Sequence, residues 1–208
     1  MTTIDNLFAT KIYRAVLRGR GSRTLNDELA AAAMSIAADD TAGQTWSQQK
    51  AYQGYTSYAS LNDLTWRAPE FADLARHLDQ HMQAFVSELD FDLPDGKGLA
   101  LDSLWINILE PDGAHSAHIH PHAVISGTYY VTIPDGAGAI RFEDPRHAMM
   151  MAAPNRKSRA RRENLRFVDV APKPGTVLMW ESWLRHEVLR NDSDAPRVSI
   201  SFNYAMAD

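Results

Sequence analysis

The chain has 208 residues, 45% hydrophobic and 23% charged, with a formal charge of -5 and no cysteine. That size and composition fit one globular domain with a substantial core, and no run approaches the eighteen or so consecutive apolar residues of a membrane span. Without cysteine there is no disulfide framework and no thiolate centre, so any metal must be held by His, Asp or Glu, and the acidic balance argues against nucleic acid as the main partner.

The chain opens at Met1 to Asn6 without a basic region or a long apolar stretch. A secretory leader is therefore not expected, and a cytoplasmic location is. Ile4 to Val16 contains the β-prone run Leu7-Phe8-Ala9-Thr10-Lys11-Ile12-Tyr13, which predicts a first strand. Leu25, Leu29, Ala32, Ala33 and Ile36 recur at helical spacing and predict an amphipathic helix over Leu25 to Ala38. Thr41 to Leu64 is polar and aromatic without a period and reads as a loop, with Trp46, Tyr52, Tyr55 and Tyr58 in or near its 46–58 stretch.

A second helix begins at Pro69, where a first turn tolerates proline, and carries Phe71, Leu74, Leu78, Met82, Phe85 and Leu89 on one face. His77 and His81 lie four apart on it, but no acidic residue stands between them in a metalloprotease pattern, so edge-of-core or solvent-facing histidines are expected. After the turn Asp95-Gly96-Lys97-Gly98 the character becomes β: Leu101 to Leu109, Val124 to Ile133, Ala139 to Glu143, Val168 to Ala171, Thr176 to Trp180 and Val198 to Tyr204. Short strands between Gly, Pro and Asp turns, with helices confined to the N-terminal half, predict a sandwich or jelly roll with helices packed outside. Between those strands, Asn155 to Arg162 carries five basic side chains in eight residues. A solvated loop is the default for such a run, and a nucleic-acid or acidic-substrate contact is the alternative. If a site lies nearby the loop is a candidate lid, and both it and the aromatic 46–58 stretch could reach a pocket.

Four of the eight histidines fall between His115 and His122. In an extended segment His118 and His120 point to the same side and can present two imidazoles to one metal. The last histidine is His186, followed by a strand from Arg197 to Tyr204. Its alternation puts Val198, Ile200, Phe202 and Tyr204 on one face and Arg197, Ser199, Ser201 and Asn203 on the other. The polar face either meets solvent or lines a wet pocket in which Arg197 forks onto a carboxylate, and spacing leaves both open.

His118-Ile119-His120-Pro121, Ser126-Gly127-Thr128-Tyr129-Tyr130-Val131, Phe142-Glu143-Asp144-Pro145-Arg146, Ser182-Trp183-Leu184 with His186 and Val188, and Arg197-Val198-Ser199-Ile200-Ser201-Phe202-Asn203 together resemble the iron(II)- and 2-oxoglutarate-dependent oxygenases, and within them a bacterial branch. The resemblance covers nearly the whole chain. It implies a mainly β fold with flanking helices (α+β), a double-stranded β-helix, that is, a cupin-like jelly roll. We expect a single domain over 1–208, in which 1–95 supplies a strand and supporting helices and 96–208 the jelly-roll core with its metal site.

Carried over residue by residue, the resemblance implies His118 and His186 as Fe(II) ligands. The position two after the first histidine is usually Asp or Glu and here is His120, so three histidines replace the common triad of two histidines and a carboxylate. Glu143 and Glu187 lack the usual spacing for the missing carboxylate. The resemblance puts Arg197, with Ser199 beside it, on the distal carboxylate of the cosubstrate 2-oxoglutarate, and Tyr130 against the same group. Ser126, Thr128 and Tyr130 share a strand face, and Asn107, which shares a face with Trp105, is a candidate for the ketoacid end. His115 and His122 are expected outside the ligand set.

The implied reaction consumes dioxygen and 2-oxoglutarate, releases succinate and carbon dioxide, and oxidises a small-molecule or peptide substrate that the sequence does not name. The alternatives are a three-histidine cupin-like dioxygenase without 2-oxoglutarate, in which Arg197 would bind a substrate carboxylate, and a non-catalytic jelly-roll protein holding zinc.

Overall fold

The structure, a computed structural model, describes residues 1–17, 22–94 and 97–207. The expected turn at Asp95-Gly96 and the boundary drawn there lie outside these residues. In chain order the strands are β1 (Tyr13–Val16), β2 (Gly54–Thr56), β3 (Leu99–Leu109), β4 (His115–His118), β5 (Ile125–Thr132), β6 (Ile140–Glu143), β7 (Phe167–Val170), β8 (Thr176–Glu181), β9 (His186–Val188) and β10 (Arg197–Met206). The helices are α1 (Ser22–Asp39), α2 (Thr41–Gln49), α3 (Leu64–Arg67) and α4 (Pro69–Leu89).

Among the described residues the strands form two antiparallel sheets, a major one ordered β1-β8-β5-β10-β3-β2 and a minor one ordered β4-β9-β6-β7. From β3 onward the chain crosses between the sheets at every step except β6 to β7, in the manner of a jelly roll, and each long strand of the major sheet has one face toward the helices and one toward the opposite sheet. Toward the helices, Ile106, Ile108, Tyr129, Val177, Met179, Val198, Ile200, Phe202 and Tyr204 form a core with Leu29 of α1 and Phe71, Leu74, Leu78 and Phe85 of α4. Toward the minor sheet, Leu178 and Trp180 pack with Ile140, Phe142, Val170 and Leu184 in a smaller cluster. Tyr204 ties helix layer to sheet, its hydroxyl donating to Asp79 Oδ1 at 2.7 Å.

Gly127 lies at the centre of the major sheet because nothing larger fits: a Cβ there would stand 2.3 Å from the Phe202 ring and 2.6 Å from the Leu178 carbonyl. Gly54 is required for a second reason, since φ is +134° and a Cβ would lie 2.0 Å from the Ile108 carbonyl.

The expected loop over Thr41 to Leu64 is instead α2, β2 and the start of α3. Asp40 caps α2, its carboxylate accepting from the Gly43 N–H at 3.0 Å, and the face of α2 turned inward is made of Gly43 and Ser47 rather than of large apolar residues. An apolar period is therefore missing although the helix is there. β2 is only three residues long and extends the sheet by pairing with Asn107 to Leu109 of β3. At the other edge the expected strand over Ile4 to Val16 shortens to β1, because β8 offers a partner only to Tyr13 through Val16, and Leu7 and Phe8 stay exposed.

Candidate metal centre

His118 ends β4 and His186 begins β9, and the two are direct partners in the ladder between those strands. A register irregularity between His115 and His118 brings this about. His120 lies just beyond β4, held by its N–H donating to the Ser182 carbonyl at 3.1 Å. Each of the three histidines offers a ring nitrogen within 4.8 Å of the others.

Their orientation is fixed by backbone. His118 Nδ1 lies 2.7 Å from the Ser116 carbonyl and His186 Nδ1 lies 2.9 Å from the Leu184 carbonyl. A ring nitrogen that donates to a carbonyl carries the proton, which leaves Nε2 of each ring as the free lone pair. Burial holds the imidazoles neutral: it pushes His186 down to about 3 and His120 to about 4, and lowers His118, with the neighbouring imidazoles adding to the effect at His186 and His120. Neutral, converging imidazoles are what a transition metal requires.

The triad forms one wall of a cavity of about 40 Å³ between the sheets, and the polar face of β10 forms another. Arg197 is only 2% exposed and has no acidic partner among the described residues. Its Nη1 donates to Ser199 Oγ at 3.3 Å, its guanidinium lies 5.2 Å from the centre of the Tyr130 ring, and its Nε has no partner at all. The Tyr130 hydroxyl, fully buried, is also unpartnered. An isolated buried cation costs several kcal/mol, and an anion beside this guanidinium and phenol would offset that cost. Both groups of a ketoacid–metal pair are matched by the residues present: three imidazoles for the metal and a cation with hydroxyls for a carboxylate.

Not every expected residue faces the cavity. Ser126 and Tyr130 do not line it: Tyr130 touches Arg197 instead, and the Ser126 hydroxyl is engaged at 2.7 Å with both Ser182 Oγ and Asn203 Oδ1, so that it steadies the turn that positions His120. Asn107 lines the cavity, but its amide is already held, accepting from Thr56 Oγ1 at 3.0 Å and donating to Ser201 Oγ at 3.0 Å. His115 is stacked on His118 with ring centres 4.3 Å apart, while His122 is exposed. His81 accepts from or donates to the Tyr13 hydroxyl at 2.8 Å and His77 is exposed, so α4 holds no metal pair. Glu143 is engaged by His147 and Arg185, and Glu187 by Arg141, away from the triad.

Two cavity residues carried no assignment in the sequence. Tyr52, between α2 and β2, packs edge-on against His115 and reaches Asn107 Oδ1 with a long contact of 3.4 Å. Trp180 lies edge-on to His186 with its indole N–H unpartnered. The strand parity of β8 could have found Trp180. Tyr52 comes from the aromatic 46–58 stretch that could reach a pocket, but a stretch without a period does not single out which of its aromatic residues does.

Residues 103–203 match the family model described as "Putative 2OG-Fe(II) oxygenase". Curated proteins give no match. Among solved structures the chain is similar to a prolyl-4-hydroxylase from Pseudomonas putida, at 18% identity over 95% of this chain and 94% of that one with a TM-score of 0.59. It is also similar to the epimerase SnoN in complex with Fe3+, alpha ketoglutarate and nogalamycin RO, at 15% identity over 95% and 81% with a TM-score of 0.63. A third likeness is HygX from Streptomyces hygroscopicus with nickel and 2-oxoglutarate bound, at 14% identity over 94% and 82% with a TM-score of 0.59. Identities this low speak for the shared jelly-roll fold. The family match, by contrast, spans every cavity-lining residue except Tyr52, and over that segment the chain is similar to the 2OG-Fe(II) oxygenases, enzymes of iron(II), 2-oxoglutarate and dioxygen.

Proposed function

We propose that this oxygenase is a hydroxylase, built as one domain over 1–208, in which His118, His120 and His186 hold Fe(II) and Arg197, flanked by Ser199 and Tyr130, anchors the distal carboxylate of 2-oxoglutarate. The observation that carries the reading is the buried, unpaired guanidinium of Arg197 in the same cavity as three convergent imidazoles. The single-domain reading is supported by the shared core of α1 and α4 with β3, β5, β8 and β10.

When bound, Fe(II) and 2-oxoglutarate supply the oxidation: dioxygen and the ketoacid are consumed, succinate and carbon dioxide leave, and one oxygen atom goes to the substrate. The chain's own residues bind and orient. Arg197 fixes the cosubstrate in one direction through paired N–H donors, and Ser199 and Tyr130 add hydroxyls. Ser116 and Leu184 set the ring orientation of two imidazoles through their carbonyls. Ile140, Trp180 and Val188 give the cavity apolar walls that keep bulk water out.

The test is anaerobic titration of the Fe(II) protein with 2-oxoglutarate, followed by aerobic succinate release over a substrate panel with mass analysis of products. Binding that disappears in Arg197→Ala, and a product heavier than its substrate by one oxygen, are expected. Absence of binding at millimolar 2-oxoglutarate would overturn the cosubstrate assignment, and a product lighter by two hydrogens would overturn the hydroxylase assignment.

A further inference from the structure

A second, much larger hollow of about 750 Å³ lies at the same end of the sandwich as the triad. Phe142 of β6 pairs with His186, and the next residue, Glu143, donates its N–H to the Arg185 carbonyl. There the chain leaves the minor sheet on the excursion 144–166 that carries the basic run, returning at Phe167 opposite Glu143. Phe142 and Leu184 form part of the groove floor, and the Leu184 carbonyl is the group that holds His186 Nδ1. The groove and the metal cavity thus lie back to back across one layer of side chains and share no lining residue.

The groove's charge is not balanced. Of its acids, Glu143 pairs with His147 and Arg185, Asp144 with Arg146 and Glu163 with Arg161, which leaves Asp5 alone. Arg14, Arg156 and Arg162 line it, are exposed, and form no ion pair among the described residues. In a chain of net charge -5 this gathering of free cations is a local feature. The rim is apolar: Leu7 and Phe8 are 70% and 91% exposed. Free guanidinium groups over an apolar floor are complementary to a ligand that bears carboxylates and apolar groups together.

The two hollows also differ in what they can admit. The metal cavity, at about 40 Å³, is far the smaller of the two. An open groove of about 750 Å³ is within the range that seats a ligand of many atoms.

We propose that the groove is an exosite for an acidic, partly apolar peptide segment of the substrate, bound beside the residue offered to the metal cavity; this rests on the oxygenase reading above. Arg14, Arg156 and Arg162 contact the segment's carboxylates, while Leu7, Phe8 and the Phe142–Leu184 floor take its apolar side chains. The basic run between β6 and β7 is then a recognition element rather than a solvated loop.

The experiment is fluorescence anisotropy of a fluorescein-labelled Glu/Tyr copolymer with the full chain, a Lys/Tyr copolymer and single-stranded poly(U) serving as comparisons. The same samples are titrated with 2-oxoglutarate. The Glu/Tyr copolymer is expected to bind, to weaken about tenfold in the combined variant Arg14→Ala, Arg156→Ala, Arg162→Ala, and to weaken with salt. 2-Oxoglutarate affinity should be the same in the variant and in the presence of copolymer. An unchanged melting temperature identifies the variant as folded. No binding by the wild-type chain, equal binding by the variant, tighter binding of poly(U), or competition with 2-oxoglutarate would each overturn the exosite. Failure of 2-oxoglutarate to bind wild-type protein would overturn the oxygenase reading instead, whatever the copolymer does.

Discussion

His118 and His186 face each other across a single rung of the β4–β9 ladder, although one closes its strand and the other opens it. The separation of these two imidazoles is therefore set by backbone pairing and not by flexible loops. His118→Ala and His186→Ala should each lower iron affinity by more than about 100-fold, read by metal analysis after dialysis. His120 is placed by one backbone bond outside the ladder, and His120→Asp restores the usual carboxylate. We expect that variant to keep or gain iron while native turnover falls. A His120→Asp protein that loses its metal would show that the third imidazole is the only group this geometry accepts.

Arg197 invites a test in which stability and function move in opposite directions. Its guanidinium is buried without a counter-ion among the described residues, so the ligand-free protein bears a desolvation cost that a bound 2-oxoglutarate carboxylate would offset. Arg197→Met should raise the melting temperature of the ligand-free protein by about 3 °C and abolish the stabilisation that 2-oxoglutarate gives wild type. Differential scanning fluorimetry with and without the ketoacid reads both effects.

Tyr52 reaches the cavity from outside the family-matched segment. Its hydroxyl has only a 3.4 Å contact to an amide oxygen that Thr56 already satisfies, and so it remains available to a carboxylate. Tyr52→Phe should weaken 2-oxoglutarate binding by about five-fold, the worth of one hydrogen bond, and leave the melting temperature of the free protein unchanged. Calorimetric titration of the metal-loaded variant decides this.

Acid should destabilise the metal-free protein well before carboxylates titrate. Burial holds His186 at about 3 and His115 and His120 at about 4, whereas an unfolded chain takes up these protons near pH 6.5. From about pH 6.5 downward to about pH 4 the unfolded state therefore binds more protons, and stability falls by up to about 1.4 kcal/mol per pH unit for each group. Denaturant melts at successive pH values should show this slope, and His115→Leu should make it shallower. An identical slope in that variant would exclude His115 as a contributor.

Gly127→Ala tests the sheet itself. The added methyl meets the Phe202 ring and the Leu178 carbonyl, in the middle of the major sheet where neither can withdraw. A loss of about 1–3 kcal/mol is expected, measured by urea denaturation.

Much of this site could be read from period two alone. In β10 the sequence assigned Val198, Ile200, Phe202 and Tyr204 to one face, and these meet the helices, while Arg197, Ser199 and Ser201 line the cavity. β5 and β3 divide in the same way, with Thr128 and Asn107 inward and Tyr129 and Ile106 outward. The elements that escaped are those that carry no period. β9 is three residues long, β4 is irregular, and α2 presents small residues where an amphipathic helix would present large ones. Ser126 shows the limit of parity: it points to the correct side of its strand, yet which neighbour takes its hydroxyl depends on a turn from elsewhere in the chain. The charge balance of the groove was likewise invisible, because the partners that neutralise Glu143, Asp144 and Glu163 are known only once the chain is folded.

His118 and His186 belong to the minor sheet and Arg197 to the major one. A metal alone engages only one leaf of the sandwich, and a carboxylate on Arg197 engages only the other. A ligand held at both ends is therefore a non-covalent clasp across the interior, and its two halves are thermodynamically linked. Iron must tighten 2-oxoglutarate by the same factor by which 2-oxoglutarate tightens iron, and prising the leaves apart would release both together.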